Sequence, residues 1–194
     1  RTLHGRPLRL TVNVAVRQLL EPSFPSLIAG VLDTYGFEPS RLVLEITETT
    51  ALADSPAIMA AVEQLHQMGV RIALDDFGTG YSSLAVVHGF PLDLVKIDKL
   101  FIRSGDKSLA RAIIAMAGSL GLTAVAEGIE VPAQIDDLHA MGCELGQGFA
   151  FSHPVELSRI TDLLQSPLGP RAHTAPVGAW IAEPMNRVAA RVAD

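Results

Sequence analysis

Polar residues close a series of short apolar runs, namely Asn13, Glu45, Asp75 with Asp76, Lys96 with Asp98, and Glu127, and Gln147 stands at the entrance to a further run, each about one strand–helix unit from the last. Charge at the end of an apolar strand is costly unless it faces a shared polar site. Oxygen donors from Asn13, Glu45, Asp75 and Asp76 are hard ligands of the kind that suits Mg²⁺ or Mn²⁺. Adjacent Asp75 and Asp76 suit a pair of cations, because a carboxylate can bridge, and a two-metal pair is a recurring device for phosphodiester hydrolysis. Lys96 suits orienting a nucleophilic water or offsetting phosphate charge.

Singly, each residue has a plainer reading. Asp75-Asp76 could cap a helix or line a solvated turn. Glu45 with Glu48 could be an exposed strand end, Lys96 a surface lysine, Asn13 a turn residue, and Glu127-Gly128-Ile129-Glu130 an ordinary loop. The case rests on their coincidence of position. His4, His66, His88, His139, His153 and His173 are scattered without metal-ligand spacing and read as structural or surface residues, with His153 before Pro154 the exception. Ser82 and Ser83 have no histidine–aspartate pattern beside them, which argues against a hydrolase triad. Cys143 lies among apolar residues and reads as buried and inert.

The elements that must position these groups alternate in type. Residues 8–14, 42–46, 70–74, 94–97, 123–126 and 148–151 read as six strands. Residues 25–35, 55–68, 82–88, 107–120, 132–141 and 157–165 read as helices, several stopped by glycine. Strands with apolar runs and helical crossovers mean a mostly parallel sheet covered by helices. An open doubly wound sheet and a (β/α)₈ barrel both fit. No Gly-rich phosphate fingerprint follows the first strand, which weakens the dinucleotide-binding version. A closed barrel has eight strands, so a barrel here would lack roughly two at the front. Residues 1–166 form the expected domain. The segment 167–194, broken by Pro167, Gly169, Pro170, Pro176 and Gly178, reads as a tail or linker with a short helix over 180–192.

Bulk properties narrow the class. With 194 residues, 48% hydrophobic and 19% charged, the chain can bury a sizeable core. A formal net charge of −6 argues against DNA or RNA as a partner. One cysteine excludes an internal disulfide and suits a reducing cytoplasm. The longest uncharged apolar run, 112–126, is too short to span a bilayer, and residues 1–9 lack a signal-peptide core. A start without methionine is expected of a piece of a longer protein.

The segment Asp75-Asp76-Phe77-Gly78-Thr79-Gly80-Tyr81-Ser82-Ser83-Leu84 resembles the most distinctive motif of the EAL domain family. Its companions stand in family order: Val12-Asn13-Val14, Leu44-Glu45-Ile46-Thr47-Glu48, Val95-Lys96-Ile97-Asp98, Ala126-Glu127-Gly128-Ile129-Glu130 and Gln147-Gly148-Phe149. The resemblance covers about residues 8–164. It implies a TIM-type (β/α) barrel, incomplete at the N-terminus with about six of eight strands, and hydrolysis of cyclic di-GMP to linear pGpG with two Mg²⁺ or Mn²⁺ ions. By the same resemblance Asn13, Glu45 and Asp75 hold the first metal, and Asp75 bridges to a second beside Asp76. Lys96 and Glu127 position the attacking water and support the second metal, and Gln147 contacts the substrate. Glu48 steadies the loop of Phe77, Gly78, Thr79, Gly80, Tyr81, Ser82 and Ser83, which links the metals to a homodimer interface, with Glu130 in support. An attached sensory or GGDEF-type domain and a cytoplasmic location are implied for the parent, which the family also allows to be membrane-tethered.

The sequence departs from the family in one large way. The Glu-Ala-Leu strand, whose glutamate is another first-metal ligand, lies upstream of Asn13 in the family and is missing here, as is its adjacent phosphate-binding arginine. Ala15 and His153 are smaller departures. Two readings therefore compete: a phosphodiesterase whose isolated fragment is impaired, and a catalytically silent receptor that binds cyclic di-GMP or docks a partner. A third, an enolase-like barrel with Lys96 as base, is opposed by the loop at 77–83.

Overall fold

The computed structural model describes residues 2–3, 6–51, 55–78, 87, 89–156 and 158–160. Eight strands lie among them: β1 (Thr2–Leu3), β2 (Arg6–Pro7), β3 (Leu10–Asn13), β4 (Leu42–Thr47), β5 (Arg71–Phe77), β6 (Leu94–Ile97), β7 (Thr123–Ala126) and β8 (Leu145–Gly146). The helices are α1 (Val16–Leu19), α2 (Phe24–Tyr35), α3 (Glu48–Ala51), α4 (Pro56–Gln67), α5 (Lys99–Arg103), α6 (Ser108–Ser119) and α7 (Pro132–Ala140). β1 and β2 make a two-stranded ribbon, and β3 to β8 form a six-stranded sheet in chain order. No helix among the described residues is long and apolar enough to cross a membrane.

Two compact units divide the chain, one of Pro7–Lys96 and one built mainly from Ile97 onward. In the first unit β3, β4 and β5 pair in parallel, with Asn13 opposite Glu45 and Thr47 opposite Asp75. β4 is buried at every position but its last, and β6 throughout, which is why both read as unbroken apolar runs and not as alternating ones. Pro56 opens α4, and Ile58, Ala61, Val62 and Leu65 repeat at helical spacing to give it one buried face. Asp93 ties the start of β5 to the segment before β6: its Oδ2 accepts from the Ile72 amide at 2.9 Å, its own amide donates to Ile72 O at 2.9 Å, and Arg71 and His66 lie 3.6 Å from its carboxylate.

In the second unit, α6 buries Ala110, Ile113, Ile114 and Ala117 at the same helical spacing. Asp98 caps α5 by accepting from the Leu100 amide at 2.8 Å. β7 and β8 pair in parallel, Val125 with Leu145 and Ala126 with Gly146.

Six strands in chain order match the expectation, with one correction. The sixth strand is Leu145–Gly146, and residues 148–151 form turns instead of the expected strand. The cause is Gly148, at φ 154°, where a Cβ would run into the backbone of Ile129. The chain bends there so that the Ile129 amide donates to Gln147 O and the Ala150 amide to Ile129 O. Gln147 thus follows the sixth strand and does not precede it. Of the expected helix at 82–88 only residue 87 is described, and it is helical, and the tail at 167–194 lies outside the described residues. Of the expected helix at 157–165 only 158–160 are described, and they are helical.

Candidate functional site

In the first unit the sequence-predicted residues gather at the carboxyl ends of β3, β4, β5 and β6. Side chains alternate along a strand, so Glu45 and Thr47 share a face of β4. Their register partners, Asn13 on β3 and Asp75 on β5, share that face with them. Lys96, the third residue of β6, reaches the same place: its Nζ lies 2.7 Å from Glu45 Oε2 and donates to Asp75 Oδ1 at 2.8 Å. The three side chains are well shielded, at 6% exposure for Lys96, 8% for Glu45 and 14% for Asp75. With so little solvent, each charge needs the others. Asn13 is exposed, and its neighbour Val14 fastens the end of β3 by donating its amide to Glu45 O at 2.9 Å.

Asp76 stands out in its backbone. Its φ of 56° is the one positive value at a non-glycine residue among the described residues, and its amide donates to Asp75 Oδ1 at 3.0 Å. A regular strand would send consecutive carboxylates to opposite faces, and the left-handed conformation departs from that geometry at some cost in strain. Phe77 ends β5 buried, and Gly78 follows at φ 96°. Glu48 begins α3 and is 4% exposed. The loop residues Thr79, Gly80, Tyr81, Ser82 and Ser83 lie outside the described residues.

The second unit brings together Glu127 and Gln147. Glu127 follows β7, with its amide bonded to Ile97 O at 3.1 Å, and its Oε1 accepts from Gln147 Nε2 at 3.1 Å. Gln147 is held by its own amide, which donates to Ala126 O at 2.8 Å. Glu130 pairs with Arg103 on the surface, and its amide donates to Gln134 Oε1 at 2.7 Å at the start of α7. His153 stacks on Phe149, with centroids 4.3 Å apart, and both are exposed. Burial pushes the Cys143 thiol up to about 11, consistent with the inert cysteine expected.

Two features escaped the sequence reading. The direct pairing of Lys96 with Glu45 and Asp75 was not foreseen, although the spacing of strand-end charges placed all three at one end of the sheet. Asp98, read with Lys96 as a strand-end charge, caps a helix of only five residues, too short to leave a periodic signal.

The donor set fits a divalent cation. Glu45 and Asp75 supply carboxylate oxygens from neighbouring strands on one face, with the amide oxygen of Asn13 on the same face, all hard donors.

The model of the family described as EAL domain matches residues 1–154. The cyclic di-GMP phosphodiesterase NbdA of Pseudomonas aeruginosa is 38% identical over 164 residues, covering 82% of this chain and 21% of the relative. The EAL domain of Mycobacterium smegmatis DcpA superposes with a TM-score of 0.78 at 37% identity, covering 86% of this chain and 77% of that one. Klebsiella pneumoniae BlrP1, solved as a manganese and cyclic di-GMP complex, superposes at 0.70 with 31% identity, over 75% of this chain and 39% of that one. The chain spans about a fifth of the length of such curated relatives. The fold is α/β of the TIM-barrel type, with six of its strands among the described residues.

Proposed function

The chain belongs to the EAL domain family, and from that membership we propose that it supplies the metal-binding strands of a cyclic di-GMP phosphodiesterase, producing linear pGpG in its parent protein. The observation that carries the proposal is the convergence of Glu45 and Asp75, from adjacent strands, on one shielded point within 2.8 Å of a shared cation, the Lys96 ammonium. Carboxylates are gathered this way where positive charge is to be held.

Glu45 and Asp75, with Asn13, would hold a first Mg²⁺ or Mn²⁺, and Asp75 with Asp76 a second. When bound, such ions supply Lewis-acid stabilisation of phosphate charge and a water activated at neutral pH. Lys96 and Glu127 would orient the attacking water, and Gln147, hydrogen-bonded to Glu127, would contact the substrate. Glu48 and the segment 77–83 support the site and a homodimer contact, with Glu130 assisting. An attached sensory or GGDEF-type domain belongs to the same reading, supported by relatives several times longer than this chain, and a cytoplasmic setting is proposed with it.

Nucleotide chromatography after incubation with Mg²⁺ or Mn²⁺ tests the proposal, on this chain and on a form extended upstream in the parent. The extended form is expected to release pGpG and the short form little, because the resemblance places a further first-metal glutamate upstream of Asn13. Binding of cyclic di-GMP without turnover by the extended form would replace the enzyme with a receptor.

A further inference from the structure

The Lys96 ammonium occupies the point between Glu45 Oε2 and Asp75 Oδ1, 2.7 and 2.8 Å from them. Two carboxylates brought this close with little solvent repel each other, and a cation between them turns that repulsion into attraction. These are the same two carboxylates that the metal reading assigns to the first ion. A divalent cation drawing an oxygen from each would stand close to the ammonium in a poorly screened place, where like charges cannot share their ligands without cost. We propose that Lys96 is the resident countercation of this pair: it holds Glu45 and Asp75 together in metal-stripped protein and gives up at least one of them when a divalent ion binds. The inference rests on the metal reading above and adds a positioning role for Lys96 that precedes chemistry. Its stem is fixed in buried β6, so the displaced ammonium stays beside the site, where a phosphate would find it. Metal loading would thus also make the lysine available to substrate.

The chain has only three lysines, Lys96, Lys99 and Lys107, so side-chain ammonium signals in protein labelled with ζ-¹⁵N-lysine can be assigned by a Lys96→Arg control. In chelated protein the Lys96 signal is expected to be protected from exchange. Saturating Mg²⁺, with saturation established by calorimetry, should shift or abolish it and leave Lys99 and Lys107 unmoved. Lys96→Met should bind Mn²⁺ at least about tenfold more tightly, by electron paramagnetic resonance titration, since the competing charge is gone. Its melting temperature should fall in chelator and recover with Mn²⁺. Should Lys96→Met fail to fold, the ammonium signal of the unmodified chain decides alone. A Lys96 signal unmoved at saturating Mg²⁺, or equal Mn²⁺ affinity in a folded Lys96→Met, overturns the countercation role and leaves the metal reading standing. Absence of Mg²⁺ and Mn²⁺ binding in the unmodified chain, in folded Lys96→Met and in the upstream-extended form overturns both.

Discussion

Replacing one carboxylate oxygen separates the chemical role of Asp75 from its structural one. Asp75→Asn keeps size and shape, and Lys96 retains Glu45 as a partner at 2.7 Å. In the upstream-extended form, turnover of cyclic di-GMP should fall on the order of a hundredfold or more, the scale of a lost transition-state electrostatic contact, while the melting temperature moves by only a few degrees. Retained turnover would take Asp75 out of the site. Cys143 gives a second residue-level expectation. Its thiol is pushed from 9.0 to about 11 by burial, so a thiol-specific disulfide reagent at pH 8 should label it only on unfolding. A folded-state value above the unfolded one means that its share of stability is intact below about pH 9 and is lost as pH rises toward 11. The stability difference between the unmodified chain and Cys143→Ala should shrink over that interval in denaturant titrations. At this scale the sequence was legible where charge interrupts an apolar strand: Glu45, Asp75 and Lys96 could be read from position alone. The left-handed Asp76 could not, since aspartate takes a positive φ more readily than most residues but at only a small share of its positions.

At the scale of elements, the turn at Gly148 offers the sharpest test. A methyl group there would meet the Ile129 backbone, and its φ of 154° disfavours any side chain. Gly148→Ala should cost about 2 kcal/mol through strain and overpacking, measured by chemical denaturation. It should also disturb Gln147, whose carbonyl receives the Ile129 amide at 3.1 Å. An unchanged midpoint would mean that the loop relaxes at no cost. The same turn explains why the sixth strand was misread: 148–151 carries the aromatic residues of a strand, but the local backbone demand of one glycine overrides that propensity. The longer elements were legible because burial writes itself into spacing, as in α4 with Ile58, Ala61, Val62 and Leu65. The four-residue helices α1 and α3 and the five-residue α5 fell below that threshold, being shorter than two turns.

At the scale of the molecule, β3 is the first strand of the six-stranded sheet among the described residues, and it differs from the strand beside it. β4 is buried at all but one position, whereas every residue of β3 is exposed, with Leu10 at 52% and Val12 at 41%. An outermost strand presents a row of backbone donors and acceptors, and apolar side chains on it invite pairing with another chain. Natural edges are blunted by lysine, proline or bulges; β3 reads Leu-Thr-Val-Asn and has none of these. The sequence reads as six strands where a closed barrel has eight, and among the described residues the six pair in chain order with β3 first. The chain on its own should therefore associate as concentration rises, seen as an apparent mass that grows on sizing chromatography. Val12→Lys places a charge on that strand and should lower the apparent mass at equal concentration. The β4 pairing is kept, because Val12 contributes its backbone to the register with Leu44 whatever its side chain. A chain that stays monomeric at high concentration, or one whose association ignores Val12→Lys, would show that β3 is not the edge through which copies meet.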